Sequence, residues 1–245
     1  AIALLSTRGL RHLPVLGADG RCAGLLARDA AMAAASGRLL LHLHALAGED
    51  AAVKRAQAAV AAALLAEGLA AEDVVGLVSA INAELHRRIL DRVLAAEAAP
   101  PPVPFTVLLM GSLGRGESLL RPDQDNGFIL ADHADADHDE VDPWFRRVSD
   151  AWCRALDEAG FPLCKGGVMA MNPLWRKTQA QWAAQFGIWA RRRSGAALLF
   201  ADIAFDFRAG WGDPGPAATL RAALREVLAS QPALLAALAA QDSRL

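Results

Sequence analysis

Residues 110–126 read Met110-Gly111-Ser112-Leu113-Gly114-Arg115-Gly116-Glu117-Ser118-Leu119-Leu120-Arg121-Pro122-Asp123-Gln124-Asp125-Asn126, and the fold turns on this stretch. The apolar run before it, residues 105–110 (FTVLLM), predicts a buried strand by composition. Gly111-Ser112 then predicts a tight turn into a short helix. Backbone N–H groups at such a start favour a phosphate, and glycine lets it approach closely. Asp123 and Asp125 stand at i and i+2, directly before a second apolar segment at 127–131 (GFILA). In extended backbone their side chains point to one side. Two like charges held there repel unless a cation sits between them. Mg²⁺ takes oxygen ligands and commonly bridges one or two carboxylates to substrate phosphates. Strand, Gly-Ser turn, helix and Asp-x-Asp together form a recipe for metal-assisted phosphoryl or nucleotidyl transfer. A dinucleotide fingerprint is disfavoured, because the glycines are spaced GxxGxG and not GxGxxG.

Working outward, Pro100-Pro101-Pro102-Val103-Pro104 predicts a stiff, extended linker. Upstream, residues 37–98 show apolar positions at helical spacing (Leu39, Leu43, Leu46; Val53, Val60, Leu64; Val74, Val78, Ile81, Leu85), with breaks at Gly48 and Gly68. The first 30 residues predict a hairpin, with strands at 12–16 and 22–26 around Gly17-Ala18-Asp19-Gly20, then a helix capped by Asp29. Downstream, an acidic loop at 132–142 precedes an amphipathic helix at 144–159. A third strand is expected within 163–171, a helix from Asn172-Pro173 to about 193, and a fourth strand at 197–207 (ALLFADIAFDF). Two Ala/Leu helices follow Gly215-Pro216. Strands alternating with helices in this half argue for α/β or α+β.

Composition bounds the function. The chain has 245 residues, 54% hydrophobic and 21% charged, with 25 Lys+Arg against 27 Asp+Glu. The resulting net charge of −2 disfavours a broad nucleic-acid surface. Three cysteines exclude a disulfide scaffold, and the reducing cytosol is the default compartment. No apolar stretch is long enough to predict a membrane span.

Several residues admit two readings. Asp123 and Asp125 could be turn residues; their position before a β segment favours function. Arg115 reads equally as a surface partner of Glu117 or a triphosphate contact. Lys165, His42, His44, the acidic run 132–140 and Arg191–Arg193 read as solvated or structural groups. Trp175, Trp182 and Trp189, at seven-residue spacing, predict a buried helix stripe.

The string GSLGRGE…DQDN resembles the DNA polymerase beta-type nucleotidyltransferase superfamily. Within it, the string is similar to the glutamine-synthetase adenylyltransferases and PII-protein uridylyltransferases. The pattern is most similar to nucleotidyltransferases linked to CBS domains, which share a PPVPF-like lead and stretches like Cys164-Lys-Gly-Gly-Val-Met-Ala170, Asn172-Pro-Leu-Trp175 and Phe205-Asp-Phe-Arg208. The opening GLRHLPVLGADGRCAGLLARD resembles half of a CBS motif, with Ala27 where a small hydroxyl residue is usual. The resemblance implies an α+β fold with a polymerase beta-like core, a mixed sheet flanked by helices. Around it come a partial CBS unit (1–35), a helical segment (36–100), the core itself (101–171) and an incomplete C-terminal helical part (172–245) contributing a strand near 197–207. Both ends are expected to be truncated. It also implies Asp123, Asp125 and Asp206 as catalytic residues and ligands of Mg²⁺ or Mn²⁺, with Asp206 taken from the Asp206-Phe207-Arg208 element. Gly111, Ser112, Gly114 and Arg115 would bind nucleotide. The implied activity is NMP transfer from an NTP to an acceptor hydroxyl in the cytoplasm. By analogy the acceptor is a protein, and a homodimer is compatible. The alternative is a non-catalytic nucleotide-sensing module coupled to CBS domains.

Overall fold

The computed structural model describes residues 1, 4–5, 8–28, 30–32, 34–35, 49–134, 137–192 and 194–242. The cap expected at Asp29, the apolar positions Leu39, Leu43 and Leu46, and His42, His44 and Arg193 lie outside them. The chain divides into two units. One comprises Ala1–Leu85 with Gly116–Pro122, the other His86–Arg115 with Asp123–Leu245.

In the first unit, β1 (His12–Leu16) and β2 (Cys22–Ala27) pair antiparallel, with Leu13 opposite Leu26. Gly20 turns the hairpin at φ 75°, a conformation that costs glycine little. Helix α1 (Asp50–Ala66) follows and then, after Gly68 at φ 87°, α2 (Ala71–Ala95), of which residues 71–85 belong to this unit. Ala61, Val74 and Val78 make a small apolar core there. Beside it lies a buried polar chain. Lys54 Nζ donates to Gln57 Oε1 and to Asn82 Oδ1, both at 2.8 Å. Asn82 Nδ2 donates to Ser118 Oγ and to the Leu119 carbonyl, both at 2.9 Å, so the segment after the Gly-rich turn is anchored to α2. Burial lowers the Lys54 pKa to about 7.

The second unit is built on a mixed four-stranded sheet in the order β5-β4-β3-β6. Its elements are β3 (Phe105–Leu109), α3 (Gly111–Arg115), β4 (Asn126–Leu130), α4 (His138–Glu158), β5 (Arg176–Thr178), α5 (Gln179–Arg192), α6 (Gly195–Phe205), β6 (Arg208–Trp211), α7 (Gly215–Ser230) and α8 (Pro232–Asp242). β3 runs antiparallel to β4 and β6, and β4 runs parallel to β5. Every residue of β3 and β4 is buried, because both faces of the sheet are covered. On one face, Phe105 and Phe128 meet Phe145 of α4, and Trp152 stacks on Phe128 at 5.7 Å. On the other, Leu108, Met110 and Ile129 join a core with Trp182, Phe186, Trp189, Ala201 and Leu220. Among the described residues no single helix is long and apolar enough to cross a membrane; α7 and α8 pass such a test only as a pair, bent by 92°.

Three expectations are corrected. Residues 163–171 form no strand: Gly167, at φ 67°, closes a turn by donating to the Cys164 carbonyl. The helix expected from Asn172 is broken. Asn172 caps only the short 3₁₀ turn Pro173–Trp175, and the chain extends as β5 before α5 begins. Arg176 is drawn out by Asp142 (2.8 Å) and the Ala170 carbonyl (2.8 Å), and Thr178 Oγ1 accepts from Gln181 N at the start of α5. Finally, the apolar stretch expected as a strand at 197–207 is helix α6, capped by Ser194 Oγ accepting from Ala197 N at 3.3 Å. A run apolar but for two acids has too little period to distinguish the two. The strand falls later, at Arg208–Trp211.

The Phe105–Phe128–Trp152 packing yields a first prediction. Phe128→Ala should destabilise the protein by about 3–5 kcal/mol in urea titration, since Phe128 is fully buried among Phe105, Phe145 and Trp152.

Candidate active site

Residues 123–126 alternate in direction. Gln124 and Asn126 are fully buried. Gln124 Nε2 donates to the Cys153 and Phe161 carbonyls, both at 2.8 Å, and its backbone N–H to the Pro162 carbonyl at 3.0 Å. Asn126 Oδ1 accepts from Ala170 N at 2.9 Å. These two inward anchors leave Asp123 and Asp125 on the opposite side, Asp123 exposed and Asp125 half-buried. Met110 N donates to the Asp125 carbonyl at 2.9 Å, which sets the Gly-Ser turn against the Asp-x-Asp segment.

Asp125 lies against bare backbone. Gly111 has φ 56°, and a Cβ added there would stand 2.8 Å from Asp125 Oδ2. Asp125 Oδ1 is buried and has no hydrogen-bond partner. Burial pushes this carboxyl up to about 7, and the charge of Asp123 adds to the rise; a hydrogen bond from Cys164 and the charge of Arg115 oppose it.

Asp206 arrives by a different route. It is the C-terminal cap of α6, two residues before β6. A Cβ at Gly114 would come within 1.9 Å of the Asp206 carbonyl oxygen, so α3 packs directly on this backbone. Arg115 Nη1 donates to Asp206 Oδ2 at 2.7 Å. From α7, Arg221 donates to the carbonyls of Phe205 (2.5 Å) and Phe207 and lies 3.9 Å over the Phe207 ring. Arg208 Nε donates to the Leu113 carbonyl at 3.1 Å.

The structure thus brings Gly111, Gly114, Arg115, Asp125 and Asp206 around one turn, with Ser112 half-buried on it and Asp123 close enough to act on Asp125. It does not assemble Asp123, Asp125 and Asp206 into a three-carboxylate group. Among the described residues no group of three or more His, Cys, Asp or Glu could hold a metal ion. Asp206 is neutralised by Arg115 instead, which avoids placing three bare carboxylates together. Arg221 and Cys164 were missed in the sequence. Nothing local marks Arg221, whereas Cys164 sits in a stretch already noted for its resemblance. Gln124 and Asn126 could have been read as anchors from their alternation with the two acids.

A mixed sheet carries the Gly-Ser turn opposite the paired aspartates. Residues 55–196 match the family described as "Putative nucleotidyltransferase DUF294", and the chain belongs to that family. No curated protein matches the chain. The family description points to nucleotidyl transfer at most as the class of reaction.

Two predictions follow from the packing and the charge. Gly114→Ala should cost about 1–3 kcal/mol in stability, because backbone on both sides blocks the new methyl. Gly187→Ala, whose Cβ would meet only the mobile end of Arg191, should be neutral or slightly stabilising. For Asp125, the folded pKa near 7 lies above the ordinary 3.8. The folded state therefore holds a proton that the unfolded state has released, and wild-type stability falls as pH rises from about 4 to about 7. Asp125→Asn should abolish that slope in metal-free buffer and gain most, relative to wild type, above about pH 7, read from thermal unfolding at several pH values.

Proposed function

We propose that this chain transfers a nucleoside monophosphate from an NTP to an acceptor hydroxyl at the Gly111–Asp125 site. The observation that carries the reading is Asp125 Oδ1, a buried carboxylate oxygen without a partner. Such an atom costs free energy unless something binds it. A divalent cation fits this donor: the oxygen is hard, Asp123 stands on the same side, and the raised carboxyl pKa is what a cation would reverse. Asp123 and Asp125 would hold Mg²⁺ or Mn²⁺, which when bound polarises the α-phosphate and offsets charge on the leaving pyrophosphate.

The chain's own groups do the rest. Gly111 and Gly114 lack the side chains that would keep the Asp125 carboxyl and the Asp206 backbone from closing on the turn. Ser112 offers a hydroxyl to the β- or γ-phosphate. Arg115, with its planar fork, suits the triphosphate better than one carboxylate. Taking Arg115 would release Asp206 to act as the third carboxylate. Arg221 and Gly114 hold the Asp206 backbone in place for that step. The acceptor hydroxyl oxygen bonds to the α-phosphorus as the bond to the α–β bridging oxygen breaks, pyrophosphate leaves with the electron pair, and the hydroxyl proton passes to water. A protein acceptor and coupling to a CBS-like N-terminal part remain part of the proposal by resemblance to the uridylyl- and adenylyltransferases.

A second reading is favoured by the Arg115–Asp206 pair itself. With Asp206 held, the site would bind nucleotide without turnover and act as a sensor. The two separate in one assay. The enzyme releases pyrophosphate from an NTP in the presence of Mg²⁺ and an acceptor in cell extract, and Asp125→Asn lowers this about 100-fold or more while circular dichroism stays unchanged. A nucleotide-dependent thermal shift without pyrophosphate from any NTP would leave the sensor.

A further inference from the structure

We propose that the cleft between α4, β5 and α5 is a binding site for an oxyanion, a carboxylate or phosphate carried by a small ligand, distinct from the Asp125 site. The cleft has a volume of about 510 Å³ and is lined by His138, Asp142, Arg176, Lys177, Gln181 and Gln185. That volume lies in the range of small-molecule pockets. It also lies away from the Gly-Ser turn. β5 is the edge strand opposite β6, and its first residue, Arg176, pairs with Phe128 in the middle of β4.

The polar groups of the cleft are unequally committed. The Arg176 guanidinium is used up: Nε and Nη2 donate to Asp142 Oδ1 at 3.0 and 2.8 Å, and Nη1 to the Ala170 carbonyl at 2.8 Å. Asp142 and Arg176 therefore cancel in charge. Gln181 Oε1 accepts from Thr178 N at 3.1 Å, which leaves its amide NH₂, a donor, for a ligand. Lys177 is half-buried and has no hydrogen bond or ion pair among the described residues. Its ammonium can only donate. The cleft thus holds one uncompensated, partly desolvated positive charge beside a spare amide donor, with His138 and Gln185 adaptable. A ligand that supplies only acceptors and a negative charge satisfies both donors at once. Burial lowers the Lys177 pKa, the direction expected of a cation waiting for a counter-charge.

The test uses the full chain in thermal unfolding, with inorganic phosphate and succinate as probes at millimolar concentration and ionic strength held with chloride. Wild type should gain about 2 °C from at least one probe. Lys177→Met, which keeps the apolar stem, should lose the gain, and Gln185→Leu should weaken the apparent affinity several-fold. Arg115→Ala should keep it, which separates this cleft from the nucleotide site. Phosphate alone acting identifies a phosphoryl ligand, and succinate alone a carboxylate. The inference is overturned if neither probe shifts wild type, if both Lys177→Met and Gln185→Leu retain the full shift, or if Arg115→Ala abolishes it. Pyrophosphate assays do not enter, so failure of the transferase reading leaves this outcome separate.

Discussion

The Asp125 carboxyl rests against backbone that has no side chain to spare. Gly111 is bent into the left-handed region, its missing methyl is the space Oδ2 occupies, and Met110 ties its own N–H to the Asp125 carbonyl. Much of the second unit serves this contact. Gln124 and Asn126 are pinned inward to carbonyls and amides of α4 and the 161–170 segment, so Asp125 between them and Asp123 before them face the other side of the strand, where Asp125 meets Gly111. A fully buried β3–β4 pair holds both halves of the contact in register, with Leu109 opposite Asn126.

Asp206 reaches the turn from a distant stretch of chain, between α6 and β6. Three arginines converge on its neighbourhood. Arg115 takes its side chain, Arg221 the carbonyls on either side of it, and Arg208 a carbonyl of α3. Gly114 makes the close approach feasible at all. The cost is that the carboxylate is spoken for before any ligand arrives, and the charge of a triphosphate is what would compete for the guanidinium.

How much of this could be read from residues alone depends on period and range. β3 and β4 were legible because a short apolar run bounded by Pro and Gly leaves few alternatives. The outward pair Asp123/Asp125 was legible because i, i+2 geometry is local. The hairpin at 12–27 and the α7–α8 pair were legible from their turn residues. Residues 197–207 were not, since ALLFADIAF is apolar but for Asp202 and shows no clear period, and Ser194, the cap that decides for helix, lies outside the run. β5 was hidden inside an apparent helix because its cause, Asp142 drawing on Arg176, spans 34 residues. Arg221 was invisible for the same reason: its partners are carbonyls, which every residue has.

The short edge strand has a consequence for the protein among its own copies. An open sheet exposes a row of backbone donors and acceptors at each border, and a long, flat, apolar border invites a neighbouring chain to add a strand. Here one border is only Arg176–Thr178, carrying two basic residues, and the other is Arg208–Trp211, which ends at a left-handed Gly212 packed on the Phe105 carbonyl. Both borders are short, and one ends in a left-handed glycine, which disfavours the addition of a further strand to a sheet whose two central strands are fully buried.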